Sequence, residues 1–201
     1  MTRIKLCGLS RLCDIETANA LCPDDIGFVF AKQSRRCVTP EQALVLRRAL
    51  SPGIRAVGVF VDEDPAVVAA LLNGGIIGAA QLHGSEDAAY LQSLRKLTDG
   101  YVIQAFRIRT ASDILKANRS EADCVLLDAG AGTGTVFDWT LLGGVDRPYY
   151  LAGGLDETSV AEAIRTLRPY GVDVSSGIET DGLKDRKKMA AFTAAVRRNE
   201  R

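Results

Sequence analysis

Eight short apolar runs recur along the chain, at residues 4–7, 26–30, 56–60, 79–82, 101–106, 125–128, 149–152 and 172–175. Most show no polar alternation. A strand with one wet face alternates, whereas a strand covered on both faces is apolar throughout, as in a parallel sheet flanked by helices. Helical patterns lie between most of the runs. Thr39-Pro40-Glu41-Gln42 reads as a capping box with proline at the first helical position. Asp64-Pro65 opens another helix, closed by Gly74-Gly75. Ser85, Thr110, Asp156 and Asp185 are the expected caps of later helices. After the sixth run only residues 138–142 can be helical.

Strict alternation of strand and helix implies a parallel sheet. An open doubly wound sheet normally has about five or six strands. Eight units in 201 residues instead fit a closed (β/α)8 barrel at the compact end of its size range, about 200 residues. No linker or low-complexity stretch interrupts the pattern, so a single barrel domain over residues 1–201 is expected. The basic tail, residues 197–201, reads as a fraying helix end.

Lys plus Arg number 25 and Asp plus Glu number 25, so formal net charge is zero. Such a chain has no long-range positive field to gather nucleic acid or an anionic membrane. No apolar run approaches the ~18 residues of a membrane span. Met1-Thr2-Arg3-Ile4-Lys5 lacks a signal-peptide core, which leads to a cytoplasmic expectation. Cys7, Cys13, Cys22, Cys37 and Cys124 form no C-x-x-C pair and read as reduced thiols, the last four structural. His83 is the single histidine. It excludes the H-E-x-x-H zinc motif and permits a Ser–His–Asp triad only through itself.

Active sites of parallel barrels form where strands end. The strand ends here are Cys7-Gly8, Ser34-Arg35-Arg36, Asp62, His83-Gly84, Arg107, Asp128, Gly153-Gly154 and Ser176-Gly177. Glycine-rich loops after strands 7 and 8 are a frequent phosphate site in this fold. Gly153, Gly154, Ser176 and Gly177 are therefore candidate phosphate ligands, and a small phosphorylated substrate is the implied partner. Two tight turns are the plainer alternative. Cys7 reads either as a small core residue or, with a stabilised thiolate, as a base or nucleophile. Asp128 reads either as a cap of its own loop or as a general acid whose pKa burial raises.

Strand periodicity adds two pairs. Lys5 and Cys7 share a face of strand 1, and Asp173 lies on strand 8, the neighbour across the closure seam. A buried Lys5 needs a partner, so a Lys5–Asp173 pair is expected. Gln81 and His83 share a face of strand 4 and are candidate pocket-lining residues.

These residues resemble a known family, the phosphoribosylanthranilate isomerases of tryptophan biosynthesis, over essentially the whole chain. The resemblance rests on Ile4-Lys5-Leu6-Cys7-Gly8, Gly27-Phe28-Val29-Phe30, Ser34-Arg35-Arg36-Cys37-Val38-Thr39-Pro40, Gln81-Leu82-His83-Gly84, Leu127-Asp128, Gly132-Thr133-Gly134 with Phe137-Asp138-Trp139, Leu151-Ala152-Gly153-Gly154-Leu155 and Val172-Asp173-Val174-Ser175-Ser176-Gly177-Ile178-Glu179. It implies a barrel without metal or organic cofactor that performs an Amadori rearrangement of N-(5-phosphoribosyl)anthranilate. By motif, Cys7 matches the general base, Asp128 the general acid, and Arg36 the arginine for the anthranilate carboxylate; Arg35 is expected to face solvent. The chain departs from the family pattern in a short segment 128–137, in Ala131 and in Cys37. A non-catalytic phosphate-ligand barrel and another sugar-phosphate isomerase are the alternatives. Monomer and homodimer both remain open.

Overall fold

A computed structural model describes residues 1–130 and 139–198. Eight parallel strands close into a barrel in sequence order: β1 (Arg3–Cys7), β2 (Asp25–Val29), β3 (Arg55–Phe60), β4 (Ala79–Leu82), β5 (Tyr101–Arg107), β6 (Cys124–Asp128), β7 (Tyr149–Ala152) and β8 (Gly171–Val174). Helices α1 (Leu12–Leu21), α2 (Pro40–Ala49), α3 (Pro65–Asn73), α4 (Ala88–Arg95), α5 (Ala111–Asn118), α6 (Val160–Leu167) and α7 (Arg186–Arg198) surround it. Between β6 and β7 there is a 3-10 turn, Trp139–Gly144. This agrees with the weak helical pattern there, although Asp138 and the Gly132-Thr133-Gly134 motif lie outside the described residues.

The strands are apolar throughout because both faces are covered. On β1, Ile4 and Leu6 point outward into the helix-facing core, while Lys5 and Cys7 point into the barrel. Ile4 and Leu6 are fully buried, and each such side chain contributes about 1.5–3 kcal/mol by leaving water. Val57, Ala79, Ile103, Leu126 and Tyr150 fill the barrel interior. Toward the N-terminal end, Asp25 is fully buried; it accepts from Tyr150 at 2.5 Å and pairs with Arg55 at 2.6 Å and Arg3 at 3.4 Å.

Helix starts follow the side-chain chemistry. Thr39 and Gln42 form the reciprocal capping box, and Asp64 accepts from the amide of Ala66 at 2.8 Å. Thr110 and Asp113 cap α5, and Asp185 accepts from the amides of Lys187 and Lys188 at the start of α7. Two expected caps are displaced. Asp87, not Ser85, caps α4, because the Ser85 hydroxyl is bonded to Asp62 at 2.8 Å. Asp156 holds the turn before α6, accepting from the amides of Thr158 and Ser159, and the helix begins one turn later at Val160.

The cysteines also differ from expectation. Cys124 is buried, but Cys13 on α1, Cys22 and Cys37 are exposed. Nor does the basic tail fray at Arg197, whose guanidinium reaches Asp24 at 3.3 Å; residues 199–201 lie outside the described residues. Among the described residues no helix is long and apolar enough to cross a membrane.

Candidate active site

Because the strands are parallel, their C-terminal ends gather at one mouth. A cavity of about 400 Å³ opens there. Cys7, Arg36, Gln81, His83, Asp128, Asp173, Gly153, Gly154 and Ser176 line it, together with Arg107 and Ser175. Lys5 lies beneath the wall formed by Cys7. Gly177 is outside the lining: a Cβ there would collide with the carbonyl oxygen of Leu155, so glycine lets the β7 and β8 loops touch.

Cys7 ends β1 and is 6% exposed. Gly27 on β2 leaves room for its sulfur, since a Cβ there would lie 2.6 Å from Sγ. Below it, Lys5 Nζ donates to Asp173 Oδ1 at 2.8 Å across the β1–β8 seam, as the strand faces predict. Register also sets Lys5 beside Asp25 on β2. That carboxylate is already engaged by Tyr150, Arg55 and Arg3, so the ammonium turns to Asp173. Burial works against the Lys5 charge, but Asp173 and the Cys7 sulfur outweigh it and raise its pKa. Burial pushes the Cys7 thiol up and the Asp173 carboxylate adds to this; Lys5 and Lys184 pull toward the thiolate without reversing the rise.

On the other wall, Gln81 Nε2 lies 2.8 Å from His83 Nδ1, and His83 Nε2 lies 3.4 Å from Asp128 Oδ2. A Gln81 amide donating to Nδ1 makes Nδ1 the acceptor and leaves the ring hydrogen on Nε2, aimed at Asp128. Asp128 Oδ1 accepts from the amide of Gly130 at 2.9 Å, so the carboxylate caps its own loop as well as facing the pocket. Its pKa shift is opposite to the expected one. The His83 contact holds the carboxyl below its ordinary range, burial opposes this, and the Gly130 amide and Arg107 assist the lowering. Partners win over desolvation because the group is only part-buried, with 27% of its side chain exposed.

Glycine geometry shapes the candidate phosphate loops. Gly153 and Gly154 have φ of 98° and 65°, in the left-handed region. A Cβ on Gly153 would press on the amides of Ala129 and Gly130 and on the Asp128 carboxylate. After β8 the chain makes a 3-10 turn, Ser176–Ile178.

Arg36 reaches the pocket from the loop after β2. Its Nε and Nη2 donate to the two carboxylate oxygens of Glu179 at 2.5 and 2.8 Å. Arg35, 65% exposed, bonds the same carboxylate at 3.1 Å. Glu179 also accepts from Lys184 Nζ at 2.7 Å. Burial pushes Glu179 up, but hydrogen bonds from Arg36 and Lys184 outweigh it and bring the pKa down to about 2. Sequence reasoning gave no role to Glu179 or Lys184. The signal available was a charged residue directly after the glycine turn, at Ile178-Glu179.

Fold and pocket together define a (β/α)8-barrel enzyme. The family model for N-(5'-phosphoribosyl)anthranilate (PRA) isomerase matches residues 4–195. A Caldanaerobacter subterraneus subsp. tengcongensis N-(5'-phosphoribosyl)anthranilate isomerase is 42% identical over 98% of each chain. The structure of the Thermotoga maritima phosphoribosyl anthranilate isomerase, a protein described as dimeric, superposes with a TM-score of 0.89 at 33% identity, covering 98% of this chain and 99% of that one. A further phosphoribosyl anthranilate isomerase structure, holding reduced 1-(o-carboxyphenylamino)-1-deoxyribulose 5-phosphate, superposes at 0.86 with 32% identity over 98% and 99% of the two chains. The chain belongs to the N-(5'-phosphoribosyl)anthranilate isomerase family.

Proposed function

We infer that the chain isomerises N-(5-phosphoribosyl)anthranilate to 1-(2-carboxyphenylamino)-1-deoxyribulose 5-phosphate, a step of tryptophan biosynthesis, with Cys7 as general base and Asp128 as general acid. The observation that carries the roles is that Cys7 and Asp128, on strands three places apart around the barrel, line one cavity whose rim holds the Gly153-Gly154 and Ser176 loops. The phosphate would rest on backbone amides of these loops, and the anthranilate carboxylate on Arg36. Gln81 and His83 would line the ribose side.

Asp128 gives a proton to the ribose ring oxygen. The C1–O bond breaks, its electron pair stays on the new hydroxyl, and a protonated Schiff base forms. Filling the pocket expels water from around Asp128 and raises its proton affinity, which offsets the lowering seen in the open site. The Cys7 thiolate, with the Lys5 ammonium below it, then takes the C2 proton to give an enolamine. The ketone follows when C1 gains a proton and the C2 hydroxyl loses one. Protons balance, and no redox partner is needed.

The rest of the reading is consistent with this activity: one domain over residues 1–201, a cytoplasmic setting, and a monomer or homodimer. The test is the loss of anthranilate-type fluorescence when the purified chain meets freshly made phosphoribosylanthranilate, beside Cys7→Ser. Rapid loss with the native chain and much slower loss with the variant support reaction and base together. A folded native chain without turnover would return the reading to a phosphate-ligand barrel.

A further inference from the structure

A small antiparallel hairpin follows β8: β9 (Glu179–Thr180) pairs with β10 (Leu183–Lys184), setting Glu179 opposite Lys184. We propose that Glu179, locked by Lys184, is a positioning residue that aims Arg36 at the substrate carboxylate and fixes that subsite relative to the phosphate loop. This rests on the assignment of the anthranilate carboxylate to Arg36.

The hydrogen-bond inventory carries the argument. A guanidinium has five N–H donors in a rigid plane and can offer a paired fork on more than one edge. Glu179 takes the Nε–Nη2 edge of Arg36. The end formed by Nη1 and the second hydrogen of Nη2 is left for another carboxylate, and Arg36 lines the cavity with 23% of its side chain exposed.

Glu179 is too firmly held to act as a competitor that swings away. Its side chain is 5% exposed, Lys184 and Arg35 bond its carboxylate, and Lys188 bonds its backbone carbonyl at 2.7 Å. Gly8 completes the brace from the other side. Its φ is 80°, and a Cβ there would sit 2.5 Å from Arg36 Cδ, so the arginine stem passes the end of β1 only because this residue has no side chain.

The same brace reaches the phosphate loop. Lys184 Nζ donates to the carbonyl of Ser175 at 2.8 Å, one residue before Ser176. Arg36, Glu179, Lys184 and Ser175 thus form one connected chain. It fixes the span between two anion subsites and selects substrates with a phosphate and an aryl carboxylate at matching separation. Such an effect appears chiefly in KM, since it concerns non-reacting ends of the substrate.

The experiment is a double-mutant cycle on phosphoribosylanthranilate turnover, with thermal melts confirming that each variant is folded. Arg36→Met should raise KM about tenfold or more with kcat little changed. Glu179→Gln should raise KM in the same sense by about fivefold, and the double variant should be within about twofold of Arg36→Met alone, because the brace has nothing left to aim. Lys184→Met, which removes one of the bonds that lock Glu179 without touching Arg36, is the second probe and should also raise KM. A native KM in Arg36→Met overturns the carboxylate assignment and the inference with it. A raised KM in Arg36→Met beside native values in Glu179→Gln and Lys184→Met, or fully additive effects in the double variant, overturns the inference alone.

Discussion

On the wall built by β1, β8, the hairpin and the loop after β2, the charged groups around Cys7 and Arg36 are closely paired: Lys5 with Asp173 at 2.8 Å, Arg36 with Glu179 at 2.5 Å, Lys184 with Glu179 at 2.7 Å. On the wall built by β4 and β6, His83 and Asp128 stand 3.4 Å apart, and the buried Oε1 of Gln81 has no hydrogen-bond partner among the described residues. The first wall holds its charges through fixed ion pairs before any substrate enters. The second is under-satisfied and can tighten when a substrate enters. That division suits the proposed chemistry. A buried thiolate needs a permanent counter-charge, whereas an acid that must give up a proton and regain it works better with adjustable partners.

The sharpest way to break the comparison is at the acid. Asp128→Ala should lower kcat by about 10²–10⁴-fold, as removal of a general acid does; near-native turnover, measured by the fluorescence assay, would remove it from the mechanism. Next in size is the buried pair. Lys5→Met leaves Asp173 uncompensated and should cost about 3–5 kcal/mol of stability, with Lys5→Met/Asp173→Asn costing less than the single change. Denaturant melts giving the double variant the larger loss would show that the pair is not held by mutual charge. On the looser wall, His83→Ala removes the main cause of the lowered Asp128 pKa, so that pKa should rise. Carboxyl carbon shifts followed against pH would read this directly, and an unmoved titration would mean that the 3.4 Å contact carries no coupling.

The smallest effect concerns Glu179, whose folded pKa is depressed from 4.5 to about 2. A depressed carboxyl adds stability above its unfolded pKa and loses it as pH falls through the folded value. Native chain should therefore lose stability between about pH 4.5 and pH 2 more steeply than Glu179→Gln. Parallel acid melts of the two would contradict the assignment.

The sequence made the tight wall's seam legible because strand periodicity is exact: residues two apart share a face, and neighbouring strands in a closed barrel bring Lys5 to Asp173. The same logic placed Gln81 with His83. It did not reveal Glu179, because the Arg36–Glu179 contact spans 143 residues and depends on a hairpin of two-residue strands with no apolar pattern. Nor did it give the direction of the Asp128 shift, since burial and the His83 contact oppose each other and only geometry decides which prevails. Ser85 and Asp87 differ as caps for a similar reason: the serine hydroxyl finds a tertiary partner in Asp62, which local sequence cannot show.

The seam has a consequence for the order in which the molecule is made. Lys5 and Asp173 are 168 residues apart, and the Ser175 hydroxyl bonds the Cys7 carbonyl over the same separation. The proposed base and its Lys5 counter-charge therefore lie on the first strand to leave the ribosome, but the carboxylate that anchors Lys5 comes from the last strand of the barrel. A nascent chain can collapse its early βα units while Cys7 remains without Asp173-anchored support, and contacts of such long range are closed late and slowly. Catalytic competence is then a report that synthesis has passed β8, and truncated chains ending before Asp173 would carry Cys7 beside a Lys5 whose ammonium has lost its anchor.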